Sequence, residues 1–213
     1  MKHKILPLFL LISFSLLLTS CIDVLHYISL HDGELDLRVR YTFPKPMMEM
    51  AEMVSEGSFD YRQALGLSAD LFSGLTETTA GVTAIDTVNE FGAEIVISGQ
   101  VETLRKELEG DEFLPVRDGG GYRILLPAVE EAAGDGDPAA DAFMDAFIEA
   151  AKYRILVDLS GDLADLSGAE VRVGPSYLDP SEYAVNVYGS SMLIELSVGY
   201  IYGQTEELWV ELY

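Results

Sequence analysis

The sequence predicts an α+β fold: an antiparallel sheet of hairpins packed on one face by two or three helices. Three observations predict it. Residues 34–42 alternate, with Leu35, Leu37, Val39 and Tyr41 on one face and Glu34, Asp36, Arg38, Arg40 and Thr42 on the other, the period of a half-buried strand. Phe143, Met144, Phe147, Ile148 and Ala151 recur at helical spacing, which marks one apolar helix face. From Arg154 onward the chain reads as short strands divided by turn residues.

Taken in order, 24–30 reads as a strand, His31-Asp32-Gly33 as a turn and 34–42 as its partner, a hairpin closed by an Asp-Gly pair. Phe43-Pro44-Lys45-Pro46 stops that strand, because proline has no amide to donate to a ladder. Met47, Met50, Met53 and Val54 then fall at helical spacing, and Asp60 is placed to cap a second helix reaching to about Gly74. Short strands are expected at 82–88 and 94–98, a short helix at 101–109 ended by Gly110, and strands at 113–116 and 122–126 around Gly119-Gly120-Gly121. Asp137-Pro138 opens the helix that carries the 143–151 stripe. Strands at 155–159, 171–173, 183–188, 192–198 and 208–213 complete the chain, with Gly189-Ser190 as a tight turn. Helices at 60–74 and 138–151 are the layer expected to cover the sheet.

The chain has 213 residues, 49% of them apolar and 23% charged, a globular composition. Its formal net charge is −23. All 36 acids follow residue 21, so without Lys2 and Lys4 the balance is 11 basic against 36 acidic, or −25. Such a chain repels nucleic acid at long range, and no basic stripe offsets this. Cys21 is the only cysteine, so no internal disulfide can form.

The first 20 residues have the layout of a secretion signal. Lys2-His3-Lys4 is followed by an apolar run of about 14 residues from Ile5 to Leu18, too short to span a bilayer comfortably. The run ends in Leu18-Thr19-Ser20-Cys21, which resembles the lipobox of bacterial lipoproteins. The resemblance implies cleavage between Ser20 and Cys21, thioether lipidation of the Cys21 sulfur and acylation of the new amino terminus. More than one acyl chain is needed for stable anchoring. The expected organisation is therefore a signal at 1–20 and a single envelope domain at 21–213, tethered outside the cytoplasm. An Asp directly after the cysteine would resemble an inner-membrane retention signal. Ile22 stands there instead, which leans towards the outer membrane.

Chemistry-bearing patterns are few. His26 and His31 are the only histidines after the signal, and both read as hairpin residues rather than as the imidazole of a catalytic triad. Asp135, Asp137 and Asp141 resemble a calcium-loop fragment, but Ala140 and Ala146 stand where a glycine and a glutamate are required. Gly119-Gly120-Gly121 lacks the Lys-Ser/Thr of a phosphate loop and leads into a strand. No zinc-ligand spacing occurs, and no cofactor is expected. The aromatic ending Trp209-Val210-Glu211-Leu212-Tyr213 does not fit a membrane barrel strand, because Glu211 shares a face with Trp209 and Tyr213. Met47, Met50 and Met53 with Leu71, Phe72 and Leu75 form an apolar set suited either to core packing or to a groove for an acyl chain or peptide.

The order of elements resembles the LppM-type domain of bacterial lipoproteins. The likeness lies in the hairpin after the cysteine, the stretch from Val88 to Ile97, the strand Gly120-Gly121-Tyr122-Arg123-Ile124-Leu125-Leu126 and the segment from Ile155 to Gly161. It departs at Leu159-Ser160-Gly161, where a Pro-Gly is expected, and it shows no C-terminal apolar helix of the kind many members carry. The resemblance implies an α+β envelope domain with lipid or partner binding and supplies no catalytic residue. The function expected is a non-catalytic binding or scaffolding module at the membrane. The alternative is an envelope hydrolase using two of the many carboxylates.

Overall fold

A computed structural model describes residues 23–46, 49, 80–107, 112–126, 148, 151–159, 167–201 and 205–213. Twelve strands dominate them: β1 (Asp23–His31), β2 (Glu34–Pro44), β3 (Ala80–Asp86), β4 (Glu90–Gln100), β5 (Pro115–Asp118), β6 (Gly121–Leu126), β7 (Lys152–Asp158), β8 (Ala169–Val173), β9 (Ser176–Tyr177), β10 (Tyr183–Tyr188), β11 (Ser191–Ser197) and β12 (Leu208–Leu212). The longest helical run among the described residues is α1, Val101–Glu107. A 3₁₀ turn covers Val198–Tyr200.

The hairpins form for the reasons the sequence suggests. Asp32 (φ 51°) and Gly33 (φ 80°) both take positive φ, the geometry of the two-residue turn whose twist matches its strands. β1 and β2 then pair from Leu30↔Leu35 to Asp23↔Thr42. β10 and β11 close through Gly189-Ser190, where Gly189 alone takes positive φ (66°).

The expected fold class is overturned. The strands form two sheets, of order β10-β11-β7-β1-β2-β4-β3 and β5-β6-β12-β8-β9, and the layer facing the larger sheet is a second sheet rather than a pair of helices. Inward residues of the first (Ile28, Leu37, Ile95, Ile155, Ile194) and of the second (Ile124, Val171, Val210) belong to one buried cluster, the inter-sheet core of a sandwich. The physical reason is the alternation itself. β8 and β12 alternate buried with more exposed residues, and β6 buries every residue but Arg123, so the three form an apolar face of their own that is satisfied by the face of the first sheet. The helices expected at 60–74 and 138–151, apart from Ile148 and Ala151, lie outside the described residues, as do the methionine-rich segment and the calcium-loop fragment.

Among the described strands pairing is antiparallel except between β1 and β7, which run parallel from Asp23↔Lys152 to Ser29↔Asp158, and an isolated parallel bridge joins Glu112 to Leu125. The chain crosses between the sheets after β4, β6, β7, β9 and β11. This interleaving brings β12 to the centre of the smaller sheet, between β6 and β8, and so sets the outer face described next.

Candidate functional site

β12 sends Leu208, Val210 and Leu212 into the core and Trp209 and Glu211 to the opposite face, with Tyr213 continuing that outward row. Register sets Glu211 beside Arg123 of β6 and Glu170 of β8, and Trp209 beside Leu125 and Arg172. Tyr177 of β9 stands opposite Arg172. The outer face of the smaller sheet thus collects two arginines, two glutamates and aromatic rings, in a chain where basic residues are scarce.

These groups are tied together. The Arg123 guanidinium lies 4.9 Å from the Trp209 ring centroid, a cation–π contact, and its Nη1 is 3.5 Å from Asp118. The Tyr177 hydroxyl donates to Glu211 at 3.1 Å, and that bond to an anionic oxygen pushes the Tyr177 pKa up. Arg172 Nε approaches Glu211 to 3.6 Å, longer than a hydrogen bond. The Nε atoms of Arg123 and Arg172 are both shielded from solvent and find no hydrogen-bond partner among the described residues.

At one end of this face is a slot of about 340 Å³, lined by Asp118, Gly120, Gly121, Arg123, Glu211 and Tyr213 among others. Its shape follows from glycines. Gly119 (φ 58°) and Gly120 make the tight turn between β5 and β6, and at Gly121 a β-carbon would collide with the Leu212 carbonyl. On the other side of β12, a β-carbon at Gly168 would sit 2.9 Å from Cε2, Cζ and Oη of Tyr213, so the Tyr213 ring lies against Gly168. Its backbone is pinned there: Gly168 and Tyr213 exchange N–H···O bonds of 3.1 Å, and Ser167 donates to the Tyr213 carbonyl through its amide (2.7 Å) and its hydroxyl (2.9 Å). The Tyr213 side of the slot is therefore preorganised, while the residue remains 53% exposed.

The second unusual group is His26, which is fully buried. Its Nδ1 lies 3.3 Å from the Tyr153 hydroxyl. Its ring meets Phe113 (5.7 Å) and Tyr153 (6.2 Å) edge to face, while Nε2 finds no hydrogen-bond partner among the described residues. Burial drives its pKa down to about 3 against a smaller opposing influence of the Phe113 backbone. Phe113 has φ 62° and donates its amide to the Leu125 carbonyl at 2.8 Å, so His26 joins the two sheets. His31 is exposed, 3.4 Å from Asp32.

Of the residues singled out from sequence, Ser20, Cys21, Met47, Met50, Met53, Leu71, Phe72 and Leu75 all lie outside the described residues. No three His, Cys, Asp or Glu side chains converge as metal ligands among the described residues. No described helix is long and apolar enough to cross a membrane. Sequence reasoning missed the outer-face site, although the shared face of Trp209, Glu211 and Tyr213 was visible in their spacing. What it lacked was the pairing that brings Arg123, Arg172 and Gly168 beside them. Comparison with protein-family models, with curated proteins and with solved structures finds no match to this chain.

Proposed function

We propose that this chain is a membrane-anchored lipoprotein of the bacterial cell envelope whose folded domain is a non-catalytic binding module. The observation that carries the reading is Leu18-Thr19-Ser20-Cys21 behind the apolar run. β1 starts only two residues beyond Cys21, a reach of roughly 7 Å. Lipid on that sulfur holds the domain against the bilayer, exposed to envelope components rather than to cytoplasmic ones. The outer face of the five-stranded sheet supplies the described surface for binding. Its polar groups sit beside aromatic rings and a preorganised slot, the mixture that fixes a ligand's orientation. The cysteine-adjacent Ile22 favours the outer membrane.

Intact-mass analysis of the protein purified from membranes tests the anchor. The expected product begins at an acylated Cys21, and Cys21→Ser shifts the protein out of the membrane fraction. A mature chain that starts elsewhere, or an unmodified cysteine in a membrane-bound product, overturns the reading.

A further inference from the structure

We propose that the tip of the β3–β4 hairpin, with Val88 at its point, docks on the bilayer surface beside the anchor, so that the domain stands on the membrane by one end of its larger sheet. The proposal rests on reading Cys21 as the lipid anchor and adds which part of the fold meets the lipid. Register decides the end. Asp23, where β1 starts, stands opposite Thr42 of β2, Thr42 opposite Gly92 of β4, and Gly92 opposite Ile85 of β3. Past that line the hairpin runs on for three more residues, to Val88 and Asn89, a projection of about 10 Å at strand rise. Cys21 precedes the same line by two residues, a reach of roughly 7 Å. β3 stands three strand spacings from β1, about 14 Å across the sheet. A bilayer that holds lipid on Cys21 is therefore within reach of the tip.

The tip suits that contact. Val88 is 90% exposed, more than any other large apolar residue described, and it occupies a turn where polar residues or glycine are the rule. Its side chain adds almost no burial to the fold. Its setting is fixed: Thr87 donates its amide to the Glu90 carbonyl (2.9 Å), Glu90 donates its own to Thr87 Oγ1 (3.0 Å), and the Lys45 amide donates to the Asn89 carbonyl (2.8 Å). A preorganised point loses little entropy on docking. Behind it Phe43 and Phe91 face each other across β2 and β4, both half-buried.

Charge agrees. Asp86 and Glu90 flank the tip, and each has a cation: Lys45 bonds Asp86, and Arg40 lies 3.5 Å from Glu90. Between them Thr87, Val88 and Asn89 are uncharged. At the opposite end of the sheet the β1–β2 turn carries Asp32, whose side chain is 82% exposed. In a chain with 36 acids, the neutral tip is the one of these two turns that can approach anionic headgroups. The tether makes the contact intramolecular, so one apolar side chain with a short reach is enough to hold it.

The test uses the full acylated chain in vesicles of phosphatidylethanolamine and phosphatidylglycerol that carry a spin-labelled lipid as quencher. Lipidation consumes the only cysteine, so Val88→Cys takes a polarity-sensitive fluorophore selectively. Tyr188→Cys is the reference: Tyr188 is exposed and aligns through Ser191 and Asp158 with Ser29, about 20 Å along β1 from Asp23. Emission from position 88 should shift to the blue and be quenched about threefold more than emission from 188, as for a group at the headgroup boundary. Without a fluorophore, amide exchange at Val88 and Asn89 should be slower in vesicles than in the Cys21→Ser chain in buffer. Val88→Asp should restore fast exchange and leave the urea midpoint unchanged. A label at 88 as water-exposed as that at 188, on a chain whose mass shows acylated Cys21, overturns the docking and keeps the anchor. Protection that survives Val88→Asp overturns the part given to Val88. An unmodified cysteine overturns the anchor and the docking together.

Discussion

The domain is expected to lose stability steadily as pH falls from 6.5 towards 3, and His26 is expected to be the cause. Folding holds its imidazole neutral, with a pKa near 3 against 6.5 in the unfolded chain. Between those values the unfolded state binds the extra proton. The stabilising contribution is therefore complete above pH 6.5 and is lost as pH falls through the window, by up to about 1.4 kcal/mol per pH unit. The whole window has a ceiling of about 5 kcal/mol, a large part of the stability of an ordinary domain. Titration of the many carboxylates works the other way in part, because neutralising them relieves the self-repulsion of a strongly acidic chain. The comparison that isolates His26 is the double variant His26→Phe/Tyr153→Phe. Burial keeps the Tyr153 hydroxyl protonated by raising its pKa above the ordinary 10, and removing both polar partners together leaves no buried orphan. Urea unfolding at several pH values should show parent and variant diverging as pH drops, the variant being the more acid-resistant. Parallel curves across the window would sink the assignment.

His26 also shows where sequence reasoning reaches its limit. Its place on a strand followed from the alternation around it, because Ile28 and Leu30 share its face, and so do their partners Leu37 and Leu35 across the hairpin. Its burial followed from nothing local, since the Phe113 ring that covers it comes from 87 positions further along the chain. The hairpins show the same division. Asp32-Gly33 and Gly189-Ser190 announce themselves through turn chemistry that acts over four residues, and both are where the sequence puts them. Which sheet a strand joins is decided by its apolar face finding another, and period-2 alternation is the same whether a helix or a sheet covers it. That is why 122–126 and 208–213 read correctly as strands while the layer they build was mistaken for helices. The slot was hidden for a related reason. Tyr213, Gly121 and Gly168 become neighbours only because β12 lies between β6 and β8.

Gly92→Ala is expected to be the most damaging single-methyl change among the described glycines of the larger sheet. Gly92 lies in β4, opposite Thr42 of β2 and Ile85 of β3. A β-carbon there would run into the Tyr41 carbonyl oxygen and stand 2.9 Å from the Thr42 Cα. Both obstacles are backbone, so no side chain can swing aside. β2 and β4 must separate locally, and the separation disturbs Ala93 and Ile95, which are buried immediately beyond. A loss of about 3 kcal/mol is expected, the scale of forced overpacking in a close-packed interior. Gly81 supplies the control one strand away: nothing lies within 4 Å of its β-carbon position, and Gly81→Ala should be neutral or stabilise by about 0.5 kcal/mol through the unfolded chain. Urea midpoints of the two variants compare them directly. Among the described strands β3 pairs with β4 alone, so the same displacement should also raise amide exchange along 80–86 before the centre of the sheet responds. Equal midpoints for the two variants would mean that β2 and β4 do not approach as closely at Gly92 as their register requires.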